Sequence, residues 1–248
     1  MTAPRLSVAI ITLNEAHRIA RCLGSVRFAD EIVVVDSGSE DGTPDIARRL
    51  GATVIETRDW PGFGPQKNRA LDAATGDWVF SIDADEVVDD TLRHAIVAVT
   101  RAEAGVFGYW IRRRSTFCGR VVRHGDWRND RVLRLFRRKH ARFTDDPVHE
   151  RVECPLPHGE LAGLLLHDSV DSIEDMEEKT HRYARLSAQK LRAQGRKGGL
   201  LTAGAHGGWT FVRGFVLRGG FLDGRAGWTI ARLNALGTFL KYRLIDED

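Results

Sequence analysis

The chain has 248 residues, 42% of them hydrophobic and 29% charged, a balance that supports a packed core and excludes wholesale disorder. A net charge of +3 and a pI near 8.9 do not by themselves call for nucleic acid. Cys22, Cys118 and Cys154 have no paired spacing, which argues against a disulfide framework or a structural zinc site and points to a reduced, cytoplasm-facing protein.

Leu6–Thr12 is a short β-rich apolar run. It reads as a buried strand and not as a cleavable leader, because Asn14 and Glu15 follow at once. Glu15–Val26 puts Ile19, Cys22, Leu23 and Val26 on one helical face, with Asn14 as its expected N-cap. Glu31–Asp36 is a second buried strand, followed by the turn Ser37–Gly42 and a helix with Pro44 in its first turn and Gly51 as its stop. Ala52–Glu56, Trp78–Asp83 and the helical stretches 66–74 and 91–100 continue the alternation. Strands and helices alternating at this spacing imply right-handed crossovers and an α/β, doubly wound, mostly parallel sheet.

Beyond Val106 the texture changes. Phe107–Ile111 and Val132–Phe136 read as an extension of the sheet. Ser172–Leu191 is a helix with a Ser172/Asp175 cap and a face of Ile173, Met176, Thr180, Tyr183 and Ser187. Gly195–Gly208 reads as a flexible connection, and Trp209–Leu244 as an aromatic and arginine-rich tail. The expected organisation is a nucleotide-sugar-binding half over 1–105, an acceptor-binding half with the catalytic base over 106–170, and a helical C-terminal extension over 171–248.

In an open parallel sheet, ligands bind at the carboxyl ends of the strands. Glu15, Asp36 and the run Asp83-Ala84-Asp85-Glu86 all fall at such ends. Two carboxylates at i and i+2 past a strand can share a hard cation or divide ribose and metal between them, although Asp36 alone could equally cap a turn. Phosphate-loop and dinucleotide glycine motifs, an H-E-x-x-H helix and a G-x-S-x-G elbow are all missing from the sequence.

Val8–Glu15, Val33–Thr43, Gln66–Leu71 and Ser81–Glu86 together resemble the family 2 glycosyltransferases of the GT-A fold. Pro147–Glu150, Leu166-His167 and Arg218–Arg225 are similar to the branch that adds glucose to the bacterial lipopolysaccharide inner core. The resemblance implies inverting transfer of a hexose from a UDP-sugar with Mg²⁺ or Mn²⁺. It puts Asp36 on the base, Thr12 and Glu15 in the nucleoside pocket, and Asp83 on the ribose or the metal. Asp85 becomes the principal metal ligand, with His167 a further one or else a core histidine. Lys67 and Arg69 become phosphate donors. Inversion needs one general base. Glu150 is the first choice and Asp146 stays open, with His149 orienting the base or touching the sugar.

Residues 110–142 hold twelve Arg or Lys against two acids, with aromatics interleaved. An anionic glycolipid acceptor is the preferred partner for this stretch, ahead of a plain solvated face, and nucleic acid comes last. The tail is too interrupted by arginines to span a bilayer. It fits a segment lying in the headgroup region, which implies an enzyme peripheral on the inner face of the cytoplasmic membrane. Other readings are transfer to a polyprenyl phosphate or another envelope glycan, a sugar-nucleotide pyrophosphorylase, and a nucleic-acid-binding protein.

Overall fold

The computed structural model of the protein describes residues 5–102, 105–145 and 150–246. Its strands are β1 (Leu6–Thr12), β2 (Glu31–Asp36), β3 (Thr53–Glu56), β4 (Trp78–Asp83), β5 (Glu86–Val88), β6 (Gly108–Phe117), β7 (Arg120–Val121), β8 (Asp130–Arg137), β9 (Arg142–Phe143), β10 (Val152–Glu153), β11 (His158–Glu160) and β12 (Leu165–Val170). Its α-helices are α1 (Ile19–Ser25), α2 (Thr43–Arg49), α3 (Phe63–Ala73), α4 (Asp90–Arg101), α5 (Ile173–Ala193), α6 (Leu200–Phe211) and α7 (Gly224–Arg243). The chain divides into two compact units, 1–113 with 131–167 and 114–130 with 168–248.

The main sheet runs β3-β2-β1-β4-β8-β6-β12-β5. The expected parallel part is β3-β2-β1-β4, whose neighbours all pair parallel. Past β4 the sheet becomes mixed, because β8 runs antiparallel to β4 and β12 antiparallel to β5. Alternation along the strands explains the layers of the first unit. Leu6, Val8 and Ile10 of β1 and Trp78, Phe80 and Ile82 of β4 join the cluster containing Ile19, Cys22 and Leu23 of α1 and Leu92 and Ile96 of α4. Ala9, Val33, Val35 and Val79 point to the other face, against Ala70 and Leu71 of α3. The sheet is thus covered on both sides, as a doubly wound sheet requires.

Local details depart from the sequence reading in four places. Asn14 does not cap α1; it sits in the left-handed region at φ 57°, and the helix starts at Ile19 after Arg18. Helix α3 begins three residues before Gln66, at Phe63, with Pro65 in its first turn, where a missing N–H is harmless. The buried stripe of α5 is Met176, Ala184 and Ala188, while Ile173 and Tyr183 are exposed, although Ser172 caps it as expected, its Oγ accepting from Asp175 N at 3.0 Å. Most of the supposed flexible stretch Gly195–Gly208 is helix α6. One of its glycines serves packing: a Cβ at Gly207 would stand 3.1 Å from that of Phe239 on α7.

In the second unit, α6 leads through a π-helical turn (Val212–Leu217) and a 3₁₀ turn (Gly220–Asp223) into α7. Its core gathers Phe117, Val122, Val170, Met176, Ile230 and Leu233. Cys22 is buried, Cys118 exposed and Cys154 half-buried, all three free. Among the described residues no helix is long and apolar enough to cross a membrane.

Ile10 is wholly buried in the central strand, so Ile10→Ala should cost about 2–5 kcal/mol in urea unfolding. Leu201→Ala, at a 90% exposed side chain, should stay within ~0.5 kcal/mol of wild type.

Candidate active site

Strand register carries the acidic residues to one edge of the first unit's sheet. Thr12 pairs with Asp36 across β1 and β2, and Ile11 with Asp83 across β1 and β4. Because β8 is antiparallel to β4, with Phe80 opposite Leu135, it brings Arg134 towards the same edge. There the Arg134 guanidinium, nearly buried, grips Asp83 and lies 3.2 Å from Glu86 Oε1. Arg113 reaches the same Glu86 oxygen at 3.2 Å, and Glu86 Oε2 accepts from Asp83 N at 3.0 Å. Lys67, on the buried face of α3, puts Nζ 3.0 Å from Asp83 Oδ1 and 2.8 Å from Glu150 Oε1. Three carboxylates and three cations therefore interlock. Burial alone would raise the Asp83 carboxyl, but Arg134 and Lys67 override it and hold it well below the usual carboxylate range. The same pairing keeps the Arg134 guanidinium firmly charged despite its burial.

Helix α3 also fixes the segment leading to Glu150. The Asn68 side chain pairs reciprocally with the Phe143 backbone, donating to its carbonyl and accepting from its N–H, both at 2.9 Å. A Cβ on Gly64 would stand 1.9 Å from the Thr144 carbonyl oxygen, so only glycine permits this approach. Thr144 and Arg151 close the hairpin, Thr144 N donating to Arg151 O at 2.9 Å and Arg151 N to Thr144 Oγ1 at 3.0 Å.

Beside this cluster, His167 pairs in register with Glu86, and its Nε2 lies 3.3 Å from Asp85 Oδ2. Burial raises the Glu15 carboxyl; Arg18, 3.4 Å away, works against that rise and the Asp85 charge adds to it. Asp36 is wholly buried and its carboxylate accepts four internal hydrogen bonds: from Gly38 N (3.0 Å), Ser39 N (2.8 Å), Ser39 Oγ (2.6 Å) and Thr12 Oγ1 (2.8 Å). That number fills the acceptor sites of a carboxylate. Arg69 is held away from the cluster by Asp59 and Gln66 Oε1, at 3.0 and 2.9 Å.

Lys67, Asp83 and Glu150 therefore meet in one cluster and Asp85 with His167 in a pair, while Asp36 with Thr12 holds its own turn. Asp146 and His149 lie outside the described residues. Sequence reasoning missed Arg134, Arg113, Glu86 and Asn68. Arg134 and Arg113 were two of twelve cations in the basic stretch, and much of that charge is spent internally: Arg131 bonds Glu160 at 2.8 Å and Arg142 grips Asp72. For a divalent cation the pair Asp85–His167 fits, offering one oxygen and one nitrogen donor side by side. Asp83 fits less well, since both its oxygens face cations. Among the described residues no three or more His, Cys, Asp and Glu side chains converge on one point, so a cation here would complete its shell from substrate and water.

An open α/β sheet takes its ligands at the carboxyl ends of its strands, which is where these acids and Lys67 stand. Residues 7–155 match the profile of glycosyl transferase family 2; the chain belongs to that family and is a glycosyltransferase. It is 31% identical to an uncharacterized glycosyltransferase of Rickettsia typhi, over 98% of this chain and 87% of the relative. It is 32% identical to the lipopolysaccharide core biosynthesis glycosyltransferase LpsC of Rhizobium meliloti, over 77% of this chain and 73% of the relative. Among solved structures it is similar to glucosyl-3-phosphoglycerate synthase from Mycobacterium tuberculosis in complex with Mn²⁺, UDP and glucosyl-3-phosphoglycerate, at 27% identity and a TM-score of 0.39. That match covers 46% of this chain and 44% of the synthase, so this chain spans less than half of the synthase's length.

Arg134→Met would leave Asp83 and Glu86 short of a buried partner, and should cost about 3–5 kcal/mol at pH 7. Because pairing depresses the Asp83 carboxyl, that contribution is present above the unfolded value of about 4 and is lost as pH falls further. The gap between wild type and variant in chemical denaturation should therefore shrink below about pH 4.

Proposed function

We propose that the protein moves a hexose, glucose being the first choice, from a UDP-sugar to an acceptor in the lipopolysaccharide inner core, with inversion at the anomeric carbon. The similarity to LpsC supports the acceptor class, and the resemblance of the strand-end motifs supports the donor. The observation that carries the reading is Lys67, whose ammonium lies within 3.0 Å of both Asp83, at the strand end, and Glu150, from the following half of the chain.

In this reading Glu150 accepts the proton of the acceptor hydroxyl as that oxygen bonds to the anomeric carbon. The bond from that carbon to the diphosphate breaks, and its electron pair leaves with the nucleotide. Lys67 restrains Glu150 and offers its charge to the departing diphosphate. Asp83, clamped by Arg134, orients Lys67. A divalent cation held by Asp85 with His167 would neutralise charge on the leaving group, and the imidazole donor favours Mn²⁺ over Mg²⁺. Glu15 and Thr12 line the nucleoside side, with Asp36 holding the 37–39 turn in shape for the base. Arg69 braces α3 through Asp59, which leaves the phosphate role to Lys67.

We assign the enzyme to the cytoplasmic face of a membrane. Trp209, Leu217, Phe221, Leu222 and Trp228 are all at least half exposed in the second unit, with the exposed Arg225 among them in sequence. Exposed aromatic and leucine side chains beside an arginine suit an anionic headgroup layer.

Titration calorimetry of UDP with and without Mn²⁺ tests the donor site. Binding should require the metal and be lost in a folded Asp85→Asn variant; metal-independent binding by that variant would overturn the ligand assignment. Glu150→Gln should still bind UDP but lose at least ~100-fold in transfer. If Asp146→Asn shows that pattern instead, the base is Asp146. Leu217→Glu with Leu222→Glu should abolish co-sedimentation with phosphatidylglycerol vesicles while leaving UDP affinity unchanged.

A further inference from the structure

We infer that the helical unit carries a second binding site, for a phosphorylated saccharide. The site is a cavity of about 570 Å³ bounded by the 3₁₀ turn at Asp126, helix α5, the π-helical turn and helix α7. All of its lining belongs to the second unit. Its size falls in the range of small-ligand pockets.

The charge of the lining is unbalanced. Four cations, Lys179, Arg213, Arg218 and Lys241, face it with a single carboxylate, Asp126. Asp126 is mostly buried and gathers the two guanidiniums: Arg218 Nη1 lies 2.5 Å and Arg213 Nη2 3.5 Å from Oδ1, while Asn234 Nδ2 is 3.4 Å from Oδ2. One carboxylate cannot answer both. Arg213 Nε is buried without any hydrogen-bond partner. Lys179 shares its charge with Asp175 at 2.8 Å, outside the cavity. The Lys241 ammonium rests 4.8 Å from the centre of the Tyr242 ring and has no carboxylate partner among the described residues. Cations in excess of the acids beside them, one with a buried nitrogen left unbonded, are the features of an anion site, and guanidiniums set side by side suit the oxygens of a phosphate.

The rest of the wall specifies more than an ion. Thr180, Ser187, Thr210 and Thr238 also line the cavity, the Thr210 and Thr238 hydroxyl oxygens 3.4 Å apart, and Trp127 adds an aromatic surface. Hydroxyl donors and acceptors match the rim of a sugar, and an aromatic ring matches its apolar face. A phosphate on a sugar uses both halves of this lining, and inorganic phosphate uses one. The inference stands on the chemistry of this cavity, whatever becomes of the donor reading. Its ligand is also of the class to which a phosphorylated glycan acceptor belongs.

The test is calorimetric titration of the full-length protein with glucose 6-phosphate, glucose and inorganic phosphate, at low salt and at 0.5 M NaCl. Glucose 6-phosphate should bind more tightly than either of the others, and more weakly at high salt. The double variant Lys179→Gln/Lys241→Gln should weaken it roughly tenfold or more, since it removes two charge-assisted contacts. Neither lysine touches Asp126, so the variant should keep its melting temperature; Arg213→Gln, which also probes the orphaned Nε, is the second variant. Asp85→Asn, in the first unit, should leave the affinity unchanged, which separates this site from the proposed donor site. Absence of binding, or binding that neither cavity variant weakens, overturns the inference. Equal affinity for inorganic phosphate overturns the saccharide assignment.

Discussion

Burying an ion is expensive, and the interlocking of three buried ions with three half-buried ones is the constraint on which this candidate site rests. Asp83, Glu86 and Glu150 are matched by Lys67, Arg113 and Arg134, drawn from α3, from β4, β5, β6 and β8, and from the β9–β10 hairpin. Removing any one member would strand its partner in a poorly solvated place, so the elements that carry them are obliged to hold their mutual positions. Side-chain geometry at the strand ends is thereby set before any substrate arrives, which is the condition for electrostatic catalysis to work without reorganisation.

The cluster also sorts the carboxylates by task. Asp83 and Asp85 stand two residues apart, yet one is enclosed by cations and the other faces an imidazole. A shared role for the two, natural from their spacing alone, divides once their neighbours are known. Asp36 makes the same point differently: its carboxylate is engaged by the turn it closes and by Thr12 on the neighbouring strand.

The parallel half of the fold was legible because its strands are short apolar runs and three of the four end on an acid, Asp36, Glu56 and Asp83, a pattern that position in the sheet dictates. Lys67 and Glu150 could be singled out only through resemblance, since their meeting depends on contacts more than eighty residues apart. Arg134 and Arg113 were hidden for the opposite reason: cations abound around them, and nothing local marks the two that go inside. Helix α6 was misread because glycine content lowers helix propensity, while the close approach to Phe239 that Gly207 allows is a tertiary gain invisible along the chain. The cavity beside α7 was equally invisible, its lining being scattered from Asp126 to Lys241.

The bare surface of α3 at Gly64, together with the Asn68 side chain, gives the β9–β10 hairpin a mould. The hairpin's first strand is registered on the helix at Phe143 and Thr144, and Thr144 with Arg151 latches its neck. That latch hands the registration on to the returning strand, so Glu150, next to Arg151, meets Lys67 along a backbone whose position α3 dictates. The helix that supplies Lys67 therefore also sets where its carboxylate partner arrives, and a side chain added at position 64 or removed at position 68 would be felt at that ion pair.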